Sequence, residues 1–123
     1  KNEMFFAEKN NGAFFNNYRI RVSKKNQIED CLFVTGGEVN SKLDFLYRKT
    51  GCAALDMAYV ACGRYDGYFQ DNLHLWDIAA GIILIKEAGG IINDIDLNNN
   101  NNVKVITSSS DISEKLQEKL DNF

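Results

Sequence analysis

Asp77 is the side chain in this sequence best placed for chemistry. It follows Trp76 at the head of the run Leu75–Gly90, LWDIAAGIILIKEAGG. Ala79, Ala80, Ile83, Ile85 and Ala88 recur at roughly three- and four-residue spacing, which predicts a largely buried helix. Gly89 and Gly90 can supply the left-handed residue that stops it. Asp77 then falls in the first turn, beside unpaired backbone N–H groups and the positive end of the helix dipole. A carboxylate held ionised there can bind a hard cation through oxygen. Asp is also a favoured cap, and spacing alone favours that plainer role.

Other reactive side chains are less telling. The three cysteines, Cys31, Cys52 and Cys62, show no metal-ligand or redox spacing. Cys52 and Cys62 fall within one predicted helix, where a thiol behaves as a small buried hydrophobe. Reduced, structural cysteines and a cytoplasmic location are therefore expected. His74, the one histidine, has no nucleophile partner at a telling spacing and reads as a loop or packing residue. Thr35-Gly36-Gly37-Glu38 ends an apolar strand in a loop. At the C-terminal edge of a sheet such a loop borders a ligand crevice, although a plain glycine turn is the commoner meaning.

The elements that must position these residues alternate. Met4–Glu8, Ala13–Phe15 and Tyr18–Val22 read as a meander of short antiparallel strands, turned at Lys9–Gly12 and Asn16-Asn17. Cys31–Thr35 reads as a buried strand. Only 40–45 is available for a helix after it, barely one and a half turns at about 3.6 residues each, and Leu46-Tyr47-Arg48 can begin another strand. Cys52–Cys62 is a core helix, apolar on nearly every side except Asp56, whose start leaves backbone N–H groups free to meet an anion or hydroxyl. Arg64–Gln70 is a strand, Asp71–His74 a turn, and Ile91–Asp94 and Val103–Thr107 are further strands. Ser108–Asp111 offers caps for a terminal helix with Ile112, Leu116 and Leu120 along one side. Strands alternating with helices after residue 30 predict an α/β layered unit.

Composition bounds the rest. A chain of 123 residues makes one domain at most. Hydrophobic content of 45% and charged content of 25% are ordinary for a soluble globular protein. A net charge of -3 and a pI near 5.1, without a basic stripe, indicate no nucleic-acid partner. No apolar run approaches the roughly 20 residues that span a bilayer, and Lys1–Ala7 lacks the pattern of a secretory signal. The chain does not begin with Met, which suits a fragment or a trimmed piece. Proline is absent, and asparagine takes over the turns, ending in the low-complexity run Asn98–Asn102, to which no function is given.

Trp76-Asp77-Ile78-Ala79-Ala80-Gly81, followed by Glu87-Ala88-Gly89-Gly90, resembles the C-terminal signature of the inositol monophosphatase family. Gly51–Gly67 is similar to that family's preceding helix and strand, Arg48-Lys49-Thr50-Gly51 to the Arg-x-x-Gly element leading into them, and Glu8–Ser23 to its hairpin. The resemblance implies the C-terminal half of the layered αβαβα sugar-phosphatase fold, preceded by a short antiparallel meander. Residues 1–30 would be the meander from the end of the N-terminal half, and 31–123 the C-terminal α/β subdomain of a single partial domain. Val39–Tyr47 is where the sequence departs most, because relatives carry a full helix there.

The family uses Mg²⁺ to hydrolyse phosphate monoesters of inositol and related sugars. By its place in the motif, Asp77 is the implied metal ligand and also touches the leaving hydroxyl. The backbone of Ala53 matches a position whose N–H contacts the sugar ring. Gln70 stands where a glutamate commonly accepts hydrogen bonds from inositol hydroxyls. An amide lacks the charge that roughly doubles such a bond, so another sugar phosphate suits the position as well. The family's other acidic motifs are absent, so no complete catalytic set is present, and a lone carboxylate cannot organise Mg²⁺. Two readings follow: part of a Mg²⁺-dependent phosphomonoesterase that is inactive without its N-terminal motifs, or a non-enzymatic interaction or dimerisation module. Its partners would be a small sugar or inositol phosphate, and the missing N-terminal half or a second copy of the chain, with no membrane involved.

Overall fold

Asparagine turns and short aromatic strands build the first layer. In a computed structural model describing residues 3–39 and 42–120, strands β1 (Phe5–Glu8), β2 (Gly12–Phe15) and β3 (Tyr18–Arg19) form an antiparallel sheet in that order. Asn10, Asn16 and Asn17 take φ of 69°, 49° and 76° at its two turns, the left-handed region that asparagine tolerates. The third strand is shorter than the alternation predicts. Ile20 still donates its N–H to Ala13 at 2.9 Å, but Val22 leaves the sheet and donates to the carbonyl of Ala88 at 3.1 Å.

The second sheet has five strands in the order β5-β4-β6-β8-β7: β4 (Phe33–Thr35), β5 (Tyr47–Lys49), β6 (Gly67–Leu73), β7 (Gly90–Ile92) and β8 (Val103–Ser109). β4 runs parallel to β5 and β6, whereas β8 is antiparallel to both its neighbours. Helices α1 (Ala53–Ala61) and α2 (Leu75–Glu87) cover one face and α3 (Ser113–Lys119) the other. Strand alternation divides the core. Tyr68 on β6 joins Met57, Val60, Ile78 and Ile85 under the helix pair, while Phe69 joins Phe33, Ile106, Ile112 and Leu116 under α3. Ala13 and Ile20 pack on the first of these clusters. The layers thus run three-stranded sheet, helix pair, five-stranded sheet, helix, the layered α/β architecture with its antiparallel meander.

Glycine at 81 sets the helix pair. A Cβ there would approach the Met57 side chain at 2.8 Å, so the helices can close on each other only without one. The buried side of α2 is Ile78, Gly81, Leu84 and Ile85, with Ala88 at its end. Of the apolar positions read from spacing, Ile85 and Ala88 are buried, but Ala79, Ala80 and Ile83 are exposed. Helix α2 is apolar almost all round, so spacing could not choose which stripe meets α1.

Several other expectations are corrected. Asp56 is not the polar exception on α1 but is buried at 3% exposure, while Ala54 and Leu55 face outward. Cys52 caps the start of α1 and is exposed, Cys62 follows its end half-buried, and Cys31 is the buried thiol. Burial pushes the Cys31 thiol up to about 11, with the Asp66 carboxylate adding to the shift. The strand expected over Arg64–Gln70 runs instead over Gly67–Leu73, with an irregular register between Gln70 and Leu73 and Asn72 at φ 56°. The turn expected at Asp71–His74 is largely this bulged strand end. Asn40 and Ser41, part of the short helix expected over 40–45, lie outside the described residues, and 42–46 is irregular. Ser108 and Ser109 belong to β8, and a single 3-10 turn, Ser110–Ile112, leads into α3 without a side-chain cap. Ile112, Leu116 and Leu120 are buried as their spacing predicts. The asparagine run, given no function above, covers the start of α2. The carbonyl of Asn100 accepts the Leu75 N–H at 3.0 Å, and Asn101 Oδ1 meets His74 Nδ1 at 2.9 Å.

Candidate functional site

Because β4, β5 and β6 are parallel, the chain leaves all three at the same sheet edge. From that edge come the Gly36 loop, the start of α1 and the start of α2. Between them lies a cleft of about 410 Å³ whose walls include Gly36, Cys52, Ala53, Gln70, Asn72 and Asp77. All three residues singled out by sequence for ligand contact, Ala53, Gln70 and Asp77, line it. So does Gly36, from the loop whose commoner meaning is a plain glycine turn.

Asp77 is exposed and sits in the first turn of α2, where His74 is the capping residue. Its N–H donates to the His74 carbonyl at 3.0 Å. Among the described residues no hydrogen bond engages its carboxylate, which stands free beside the positive end of the helix dipole. The His74 ring stacks on exposed Trp76 with centroids 4.5 Å apart and planes 2° from parallel.

Two part-buried polar contacts adjoin the cleft wall. The Thr50 hydroxyl donates to the Asp56 carboxylate, and burial raises that carboxyl above its ordinary range despite the bond from Thr50. Tyr68, fully buried, donates its hydroxyl to Gln70 Oε1 at 2.5 Å. Burial, then the neighbouring acidic groups of Asp56, Cys52 and Asp77, push the Tyr68 hydroxyl far above the usual tyrosine range. It therefore stays a protonated donor. Gly36 closes on the same amide, since a Cβ there would collide with Gln70 Oε1. Sequence reasoning missed Asp56 and Tyr68. A carboxylate inside an otherwise apolar helix was the one available signal for the first. For the second it was the two-residue offset from Gln70 on a strand.

Mg²⁺ prefers near-octahedral oxygen coordination. No group of three or more His, Cys, Asp or Glu able to hold a metal occurs among the described residues. Asp77 is the one carboxylate among the described residues that line the cleft.

Sheet order and the helix pair heading one cleft, with Asp77 on its wall, define a layered α/β unit with a polar cleft at one sheet edge. Residues 1–122 match the inositol monophosphatase family, and the chain belongs to it. It is 43% identical to the fructose-1,6-bisphosphatase/inositol-1-monophosphatase of Thermotoga maritima, in a match covering 76% of this chain and 40% of that protein. Nus factor SuhB of Escherichia coli is 40% identical, covering 76% of this chain and 41% of that one. Among solved structures, inositol monophosphatase from Anabaena superposes with a TM-score of 0.85 at 29% identity, over 98% of this chain and 57% of that one. The extragenic suppressor protein suhB from Bartonella henselae superposes with a TM-score of 0.81 at 38% identity, over 96% and 52% respectively. The chain spans about 40% of the length of the curated relatives it matches. Among the described residues, no helix is long and apolar enough to cross a membrane.

Proposed function

We propose that this chain is the C-terminal portion of a Mg²⁺-dependent phosphomonoesterase acting on inositol monophosphate or a related sugar phosphate. The observation that carries the reading is the convergence of Ala53, Gln70 and Asp77 on one cleft at the heads of α1 and α2. Residues 1–30 are then the end of one half of the enzyme, and 31–123 the subdomain that holds this wall of the site.

In this reading each residue has a distinct task. Asp77 offers one charged oxygen ligand and reaches the leaving hydroxyl of the ester. The first turn of α1, at Ala53, offers backbone N–H groups to the sugar. Gln70 contacts a polar substituent of the ring. Mg²⁺, when bound, neutralises charge on the phosphate, and its other ligands come from outside this chain. On ligand count the chain alone is inactive.

The test supplies the rest of the enzyme and measures sugar-phosphate hydrolysis with Mg²⁺ present. Turnover should appear, and Asp77→Asn should lower it by at least about a hundredfold, since even outer-shell partners of a metal carry factors of 10 to 100. Stability should change by less than about 0.5 kcal/mol, as for an exposed side chain. Full turnover by Asp77→Asn at low Mg²⁺ would make Asp77 structural.

A second reading, an interaction or dimerisation module, is favoured by the apolar residues left exposed. Trp76 is 68% exposed, Ile83 44% and Leu55 41%, all on the helix pair. The missing half of the fold or a second copy of the chain would cover them. Sedimentation as a compact monomer with a sharp thermal transition would count against this reading.

A further inference from the structure

We infer that Tyr68 is a positioning residue that makes Gln70 a hydrogen-bond donor toward the cleft, so that the ligand group met there is an acceptor oxygen. The inference rests on reading the cleft as the substrate site. A side-chain amide carries an acceptor at one end and two donors at the other. Which end a ligand meets depends on which end the protein has already engaged.

Here the protein engages the oxygen. Tyr68 and Gln70 are two apart on β6 and share a face of the strand. The buried Tyr68 hydroxyl donates to Gln70 Oε1 at 2.5 Å, and Gly36 packs against the same oxygen so closely that no Cβ fits. The high pKa of Tyr68 keeps its proton in place at neutral pH. Nε2 of Gln70 finds no acceptor among the described residues, and its side chain lines the cleft.

The consequence for recognition is a reversal. A glutamate in this place would accept from Tyr68 with one oxygen and offer the other to ligand hydroxyl hydrogens. Gln70 offers N–H bonds instead. A sugar hydroxyl oxygen can accept such a bond, but an ionised oxygen accepts it about twice as strongly. The cleft therefore favours a sugar phosphate carrying an anionic oxygen near the ester, such as a carboxylate, over one that presents hydroxyls alone.

Two measurements test this. In the full chain labelled for NMR, the Gln70 Nε2 protons should show no NOE to the Tyr68 ring protons. Tyr68→Phe should move the Gln70 side-chain carbonyl carbon shift while leaving backbone shifts away from β6 in place. A strong NOE from Nε2 protons to the Tyr68 ring would overturn the inference, because the amide would then be turned the other way. In the enzyme assembled with its remaining half, a phosphorylated sugar acid is compared with a phosphorylated cyclitol. Gln70→Glu should shift the kcat/KM ratio about fivefold toward the cyclitol, the factor carried by one hydrogen bond. Tyr68→Phe should raise KM for the sugar-acid phosphate by a similar factor and leave kcat in place. An unchanged ratio in both variants would overturn the inference. Failure to hydrolyse either ester would count against the phosphatase reading, and the NMR result on the amide would still decide the role of Tyr68.

Discussion

The carboxylate of Glu87, at the end of α2, accepts the backbone N–H of Gly12 at 2.8 Å. Its other oxygen accepts the N–H of Asn10, also at 2.8 Å. One side chain thereby clamps the first hairpin turn to the helix that heads the cleft. These two backbone hydrogen bonds, Asn10 first and then Gly12, hold the carboxyl below its ordinary value of 4.5. A depressed acid contributes stability above its unfolded pKa and loses it as pH falls through the folded value. Thermal melts of the wild type should therefore fall more steeply below pH 4.5 than those of Glu87→Gln. Parallel profiles would show that the clamp carries no net stability.

Gly81 is the second point at which one atom decides packing. Adding a methyl group there forces it against Met57 at 2.8 Å. Overpacking of a closed core contact costs about 1–3 kcal/mol, while the gain in helix propensity over glycine is about 1 kcal/mol. Gly81→Ala should lower stability by chemical denaturation, and the double variant with Met57→Ala should recover part of the loss. A gain in stability from Gly81→Ala alone would show that the helices can move apart freely.

Asp56 should behave in the opposite way to Glu87. Its carboxyl is raised by burial, so its charged form opposes folding. The associated stability is present at low pH and is lost as pH rises through the folded value. Asp56→Asn keeps an acceptor for the Thr50 hydroxyl and removes the charge. The melting temperature at pH 7 should rise, with a smaller difference at pH 4. A fall at pH 7 would mean that the carboxylate has a cationic partner in solution.

Metal affinity offers a further check. With one free carboxylate in the cleft, the chain alone should bind Mg²⁺ no better than at about millimolar, since the ion keeps most of its waters when so few ligands are offered. Calorimetric titration is the measurement. Micromolar affinity would point to a ligand set that includes Asp71 or Glu38, although Glu38 is held by Lys49 at 2.9 Å.

Local signals made part of this molecule legible. The turns at Asn10 and Asn16-Asn17, the glycine stop after Ala88 and the spacing of Ile112, Leu116 and Leu120 all act within a few residues, and they appear where expected. The Trp76-Asp77 motif and the positions of Ala53 and Gln70 led to one cleft. What stayed hidden depends on distant partners. Asp56 is buried because Thr50 and the β6 face surround it, and no helical period reveals that. Strand β6 runs past its expected end because Asn72 adopts a left-handed conformation and lets pairing with β8 resume at Leu73. Glu87 finds its partners across more than half the chain. The exposed positions Ala79, Ala80 and Ile83 of α2 could not be told from the buried ones by residue type, because both sets are small or aliphatic.

The asparagine tract bears on how this chain can change over generations. Here the tract is fixed at two points, by the Asn100 carbonyl on the Leu75 N–H and by Asn101 at His74. Losing a residue would draw both contacts away from the opening turn of α2, and adding one would slacken them. The tract's composition is therefore free to stay monotonous, while its length is tied to the placement of the helix that carries Asp77.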